Sequence, residues 1–260
     1  MDKKINRVTR SLFVSAYMFV AAAYADNHTD VPAYGGVDAL ACDYLEGKGL
    51  DDLLRVSEKW NGWASKNFSK VYTGNVVTPY FYDESASDVY WVGFSPSLSD
   101  QGTVLGEWQA KGGKMQEEFD AVVACKSRSQ FAWRQVRDEQ GPLATGVIDF
   151  SACKITPEAT QEKMAVADTQ MNEFLSDVDS SVRIYRWFPL QGIGEKNRDI
   201  DYFQANWHES LEAKGANLDK FAMNGGPQLR SDLYGPLIEC SGLHSSTFVF
   251  VGGSASLEDS

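Results

Sequence analysis

Residues 201–208 read DYFQANWH, and residues 88–95, which read DVYWVGFS, match them 113 positions earlier. Both segments are rich in aromatic or β-branched residues and therefore predict β-strands. The match continues without a gap from Leu98 over Leu211 to the glycine pairs at 112–113 and 225–226. Such agreement predicts two copies of one unit, against the alternative of a chance likeness between two ordinary α+β segments.

The match extends toward the N-terminus once Cys42 is aligned with Cys153. Apolar residues then recur at spacings of three, four and three, which is typical of an amphipathic helix in each copy. Residues 71–79 and 182–189 read as strands that end near a proline, and the copies close on strands 125–136 and 240–251. The two apolar stripes are Leu53, Val56, Trp60 and Trp63 in one copy and Met164, Ala167, Met171 and Phe174 in the other.

The predicted order in each copy is strand–helix–strand–strand–helix–strand, the βαββαβ order of ferredoxin-like units. In this order and in its duplication the chain resembles the dimeric α/β-barrel superfamily, which includes antibiotic-biosynthesis-monooxygenase-like, NIPSNAP-like and chlorite-dismutase-like proteins. The resemblance covers about residues 37–252 and implies an α+β fold in which two tandem ferredoxin-like units form a facing-sheet barrel with helices outside. The copies are expected at residues 37–137 and 146–252, between a lead-in at 26–36 and a tail at 253–260.

The N-terminus resembles a secretory signal peptide at residues 1–25. A basic start is followed by an apolar stretch from Leu12 to Ala23 and by the small–x–small pattern that ends at Ala25. The alternative is a membrane anchor, but a spanning helix needs about 20 apolar residues, more than this stretch offers. We therefore expect cleavage and a periplasmic or secreted protein that is not held in a membrane.

The charge of the chain argues against nucleic acid as a partner. Removing residues 1–25 takes away four basic residues and one acidic residue, which changes the formal net charge from −12 to −15. Binding to phosphates requires clustered Lys and Arg side chains, and an acidic field opposes it. A small-molecule ligand remains compatible with this composition, and the sequence does not determine the oligomeric state.

Four cysteines in an exported chain are candidates for disulfide bonds, and four allow three pairings. In the ferredoxin-like sheet that the resemblance implies, the first and fourth strands are neighbours, which favours Cys42 with Cys125 and Cys153 with Cys240. No Cys-x-x-Cys motif occurs, which argues against a redox-active pair. Nucleophile-elbow, Walker, zinc-protease and dinucleotide motifs are also absent, so no cofactor and no metal are predicted.

One row of polar side chains marks the candidate ligand site. On the strand at 202–208 the apolar Phe203, Ala205 and Trp207 alternate with a polar set, and we expect the apolar set to face the helices. The polar set would then line the interior of the barrel, although a row exposed to solvent on a one-sided sheet is the alternative. The predicted lining is Tyr202, Gln204, Asn206 and His208, with Arg183, Tyr185 and Trp187 beside them and Trp91 opposite.

Four functions are compatible with these patterns. The first is a protein that holds a small, partly apolar molecule inside the barrel, with no defined catalytic residue. The resemblance implies a second, a cofactor-free monooxygenase or isomerase with His208 as general base and Asn206 or Arg183 near an anion. It also implies a third, a haem-binding barrel with His208 or His244 as axial ligand. The fourth is a structural domain that binds a partner.

Overall fold

The computed structural model describes residues 34–84, 86–137, 143–194 and 199–254. The predicted signal peptide at 1–25 lies outside the described residues, as do most of the lead-in and of the tail. The first copy runs β1 (Gly35–Tyr44), α1 (Leu50–Asn67), β2 (Thr73–Phe81), β3 (Val89–Ser95), α2 (Leu98–Lys111), α3 (Gly113–Asp120) and β4 (Val123–Arg137). The second copy runs β5 (Thr145–Ile155), α4 (Gln161–Asp177), β6 (Arg183–Gln191), β7 (Tyr202–His208), α5 (Leu211–Met223), α6 (Gly226–Tyr234) and β8 (Ile238–Gly253).

Both copies thus follow the predicted order, with one addition. The second helical segment of each copy is divided into two helices at the glycine pairs, at Gly112 in the first copy and at Gly225 in the second. Gly225 has a φ of 84°, in the left-handed region that favours glycine. Ser97 and Ser210 cap α2 and α5 in the same way, since each hydroxyl accepts a hydrogen bond from the third residue that follows.

The eight strands close into one antiparallel barrel in the order β1-β3-β2-β8-β5-β7-β6-β4. Each copy contributes four strands, and the copies join where β2 pairs with β8 and β4 pairs with β6. The predicted α+β fold of two ferredoxin-like units is therefore confirmed. Among the described residues, no helix is long and apolar enough to cross a membrane.

Side chains from all eight strands fill the interior of the barrel. Rings from the two copies meet there edge to face, with centroid separations of 5.6 Å for Phe94 with Trp187 and 5.8 Å for Phe94 with Trp207. Aromatic rings from both copies thus occupy the interior in which the ligand cavity was predicted. The buried members of the core, one from each strand, are Val37, Val77, Val92, Phe131, Ile148, Trp187, Ala205 and Phe248.

The helices cover the outside of the barrel and form a separate apolar layer in each copy. The predicted stripe of α1 is buried there through Leu53, Val56 and Trp60, and that of α4 through Met164 and Met171, together with Ala167. The helices are therefore held by burial of these stripes against the outer face of the sheet, at about 25 cal/mol per Å² of apolar surface.

Both predicted disulfides are confirmed. Cys42 is bonded to Cys125 and Cys153 to Cys240, and the bonded residues lie opposite each other in the β1–β4 and β5–β8 ladders. The bridges therefore fasten equivalent strand pairs in the two copies.

Candidate ligand cavity of the second copy

The polar row of β7 faces the helices, so the face predicted for it is wrong. Phe203, Ala205 and Trp207 belong to the barrel core instead. The reason is that a closed barrel has to fill its interior, and the bulky apolar set of each strand serves that purpose. Gln204, Asn206 and His208 consequently lie between the sheet and α4–α6, and Tyr202 is buried on the same face beneath the guanidinium of Arg186.

The other predicted lining residues separate into two further places. Tyr185 and Trp187 belong to the barrel core, and the alternation of β6 puts the buried Arg183 on their face. Trp91 packs in the helical layer of the first copy. Gln204, Asn206 and His208 therefore line one cavity, and the other predicted lining residues lie elsewhere.

A cavity of about 340 Å³ lies between the sheet of the second copy and its helices. One wall is apolar and comes mainly from α4, α5 and β6. The polar part of the lining comes mainly from β5, β7 and β8, with Asn217 from α5. The apolar lining includes Met171, Leu175, Val182, Ile184, Leu218 and Phe221, and the polar lining includes Asp149, Ser151, Gln204, Asn206, His208 and Asn217.

A buried ion pair stands at one side of this cavity. Arg186 on β6 donates two hydrogen bonds to the carboxylate of Asp168 on α4, at 2.6 and 2.7 Å, and the hydroxyl of Tyr234 donates to the same carboxylate at 2.7 Å. Arg186 also donates to Gln204 through Nε, and Gln204 donates in turn to Asn206, both at 3.3 Å. Gln204 and Asn206 are therefore held in place from α4 through a continuous hydrogen-bonded chain.

A second buried network closes the cavity around Asp149. Its Oδ1 accepts hydrogen bonds from Lys214 Nζ on α5 at 2.7 Å and from the hydroxyl of Ser245 on β8 at 2.5 Å. Burial by itself would raise the pKa of Asp149, but the nearby His208 ring, hydrogen bonds from Lys214 and Ser245, and the charge of Lys214 bring that pKa below its usual value. The carboxylate of Asp149 thus remains ionised inside the protein, beside Lys214.

The hydrogen bonds of Asn217 fix the tautomer of His208. Asn217 Oδ1 accepts from the backbone N–H of Ser181 at 3.1 Å, so its Nδ2 is the atom that lies 3.2 Å from His208 Nδ1. An amide nitrogen only donates, and Nδ1 is therefore the acceptor. The ring proton then sits on Nε2, which faces Asp149 Oδ2 at 3.6 Å. Both ring nitrogens are accordingly directed at protein groups.

The same space in the first copy is nearly filled. A cavity of about 90 Å³ remains between its sheet and α1–α3. Asp38, which is equivalent to Asp149, accepts two hydrogen bonds from Arg128, at 2.6 and 3.1 Å, and one from Tyr72 at 2.9 Å. The lining is mostly aromatic and includes Trp60, Phe68, Tyr72, Trp91, Trp108 and Phe119.

Comparison with known proteins gives neither a matching family model nor a matching curated protein. Solved structures are similar over most of their length. An anthrone oxidase-like protein is 12% identical with a TM-score of 0.51, and the match covers 87% of this chain and 96% of that one. For a chlorite dismutase variant from Candidatus Nitrospira defluvii the identity is 10%, the TM-score 0.50 and the coverage 86% and 92%. A heme-binding protein from Thermus thermophilus has 7% identity, a TM-score of 0.50 and coverage of 88% and 94%.

The chain has the chlorite-dismutase-like ferredoxin barrel fold. At such identities the similarity establishes the fold, while the chemistry of this chain follows from its own side chains. Among the described residues of this barrel, no group of three or more His, Cys, Asp or Glu side chains could hold a metal ion.

Sequence reasoning missed several residues that shape the cavity of this barrel, namely Asp149, Asp168, Arg186, Lys214, Asn217, Arg230 and Tyr234. One signal for Asp149 was present, because a carboxylate in the middle of an apolar strand has to be paired when it is buried. Asp38 stands at the equivalent position 111 residues earlier, which marks both carboxylates as parts of the repeated unit. The others act through partners on different elements, which sequence spacing does not reveal.

Proposed function

We propose that the protein is an exported binding protein that holds a small, partly apolar molecule between the sheet and the helices of its second copy. The observation that carries this proposal is the cavity of about 340 Å³, with one apolar wall and one polar wall. Ligand pockets commonly measure about 300 to 1,000 Å³ and combine apolar lining with a few placed polar groups. The networks around Asp149 and Asp168 hold those polar groups in fixed positions.

Export is the second part of this proposal. Two disulfides favour an oxidising compartment, since such bonds are rare in the cytosol. The signal-like residues 1–25 point in the same direction, and the mature chain should begin near Asp26. Intact mass measurement of the secreted protein tests this, and a chain that retains residues 1–25 would contradict it.

A cofactor-free oxidase or monooxygenase is the second candidate, which the anthrone oxidase-like neighbour favours at the level of the fold. His208 does not suit the role of general base in it, because Nδ1 already accepts a hydrogen bond from Asn217 and Nε2 carries the proton.

Haem, which the name of one neighbour suggests, does not fit the described residues. An axial histidine needs a ring nitrogen free to coordinate iron. Both nitrogens of His208 are directed at Asn217 and Asp149. His244 is exposed, and it alternates with Ser245, whose hydroxyl binds Asp149 on the helical side, so His244 points away from the cavity.

The binding proposal is tested with 1-aminoanthracene, an uncharged apolar molecule that fluoresces when bound. The Asn206→Phe variant places a ring in the cavity, and we expect it to weaken binding at least about tenfold, or 1.4 kcal/mol. Ser99→Phe adds the same ring at an exposed position of α2 and serves as the control. Circular dichroism verifies that both variants fold. Unchanged binding by Asn206→Phe would contradict the proposal.

A further inference from the structure

The charges on the wall of the cavity do not balance. Asp149, Arg186 and Arg230 are its ionised lining groups. Asp149 is paired with Lys214, and Arg186 is paired with Asp168. Within the described parts of the chain, Arg230 has no carboxylate within 4.0 Å, so its charge is left without a partner at the cavity.

Arg230 also stands where two spaces meet. It lies on α6, is exposed, and lines both the cavity and an adjoining space of about 440 Å³. Tyr234, one turn further along α6, lines both spaces as well, as do Phe221 and Ile238. A guanidinium in this position can reach the polar end of a molecule seated in the cavity while it keeps contact with water.

The other part of the lining is apolar and partly open. Leu218 on α5 is 52% exposed and Leu243 on β8 is 65% exposed, although both line the cavity. The same lining includes the buried side chains of Met171 and Leu175. A molecule with an apolar body would cover these surfaces and remove them from water, which favours binding.

Resting on the proposed function, we propose that the ligand is an amphipathic anion, a carboxylate on an apolar body. Arg230 binds the carboxylate by charge-assisted hydrogen bonds, and the wall formed by α4 and α5 contacts the body. The net charge of −12 otherwise repels anions, so a local cation is what makes an anion acceptable at this position. The selectivity of the cavity for the charged form of the ligand should therefore depend on Arg230.

The test compares naphthalene-2-carboxylate with naphthalene-2-carboxamide, an uncharged analogue of the same shape, as competitors that displace 1-aminoanthracene. We expect the carboxylate to bind about three- to fivefold more tightly, as for a solvent-exposed ion pair, and the preference to weaken as salt is added. Arg230→Gln should abolish the preference, and Arg230→Lys should retain part of it. Arg55→Gln, at an exposed arginine of α1, is the matched control and should leave the preference unchanged.

Four outcomes would overturn this inference in distinguishable ways. Equal affinity for the two competitors would refute the anionic ligand, and a preference that survives Arg230→Gln would refute the role of Arg230, while in both cases the cavity stands as a binding site. If Arg55→Gln lost the preference to the same extent as Arg230→Gln, the preference would come from the overall electrostatic field of the protein and not from Arg230. Binding of 1-aminoanthracene that Asn206→Phe leaves intact would refute the proposed function and this inference together.

Discussion

The two copies use the same layer of the fold in opposite ways. Between sheet and helices the first copy leaves about 90 Å³ and the second about 340 Å³. Large rings in the first copy are replaced at equivalent positions by smaller or more polar side chains in the second. The pairs are Trp60 with Met171, Tyr72 with Val182, Trp91 with Gln204 and Trp108 with Phe221.

Under the proposed function, the two copies have separate tasks. In the first copy the rings of Trp60 and Trp91 pack edge to face at 4.6 Å, and the layer is a core. In the second copy the smaller side chains leave space, and hydrogen-bonded chains from Asp168 and Asp149 hold polar groups at its edge. One copy therefore stabilises the barrel while the other can hold a ligand.

Removal of a disulfide should cause the largest loss in the free energy of unfolding. Comparison of the two bridges should also show which copy contributes to ligand binding. The bonded residues are 83 and 87 positions apart, and for loops of this length the chain-entropy model gives about 4 kcal/mol. We expect the paired Ser variants of either bridge to lose a similar free energy of unfolding in urea. Cys240 lines the cavity of the second copy, so only the second pair should also weaken binding of 1-aminoanthracene. A much smaller loss for one bridge would contradict the equivalence of the copies.

Neutralising the equivalent carboxylates of Asp149 and Asp38 should lower the free energy of unfolding by different amounts. Asp149→Asn leaves Lys214 charged in a site where its side chain is 11% exposed, and we expect a loss of about 3 kcal/mol in the free energy of unfolding. Asp38→Asn leaves Arg128, whose side chain is 44% exposed and can turn to water, at a cost of about 1 kcal/mol. Urea unfolding of both variants measures this difference, and equal costs would refute it.

Lowering the pH should reduce the stability advantage of the wild-type protein over Asp149→Asn. The pKa of Asp149 is lower in the folded protein than its usual value of about 3.9. A lowered folded pKa stabilises the fold above the unfolded pKa, and this contribution is lost as the pH falls through the folded pKa. The difference in free energy of unfolding should therefore be constant above about pH 5 and shrink below about pH 4. A difference that stays constant to pH 2 would contradict the buried charged pair.

The sequence was sufficient for the duplication and for the disulfides, because apolar periodicity and the cysteine positions recur in both copies. It did not show which face of each strand meets the helices and which lines the barrel. A period of two shows that Gln204 and Asn206 share a face but not which layer that face meets. The ungapped alignment also slips by one residue at β2 and β6, since Thr73 and Arg183 occupy equivalent ladder positions, and a slip of one exchanges the faces.

The location of a bound ligand tests the central claim most directly. A crystal of the protein with 6-bromonaphthalene-2-carboxylate would show the bromine by its anomalous signal. We expect this signal between β7 and α4–α6, beside Asn206 and Phe221, with the carboxylate directed toward Arg230. A bromine inside the barrel, among Phe94, Trp187 and Trp207, or in the layer of the first copy beside Trp91, would contradict it.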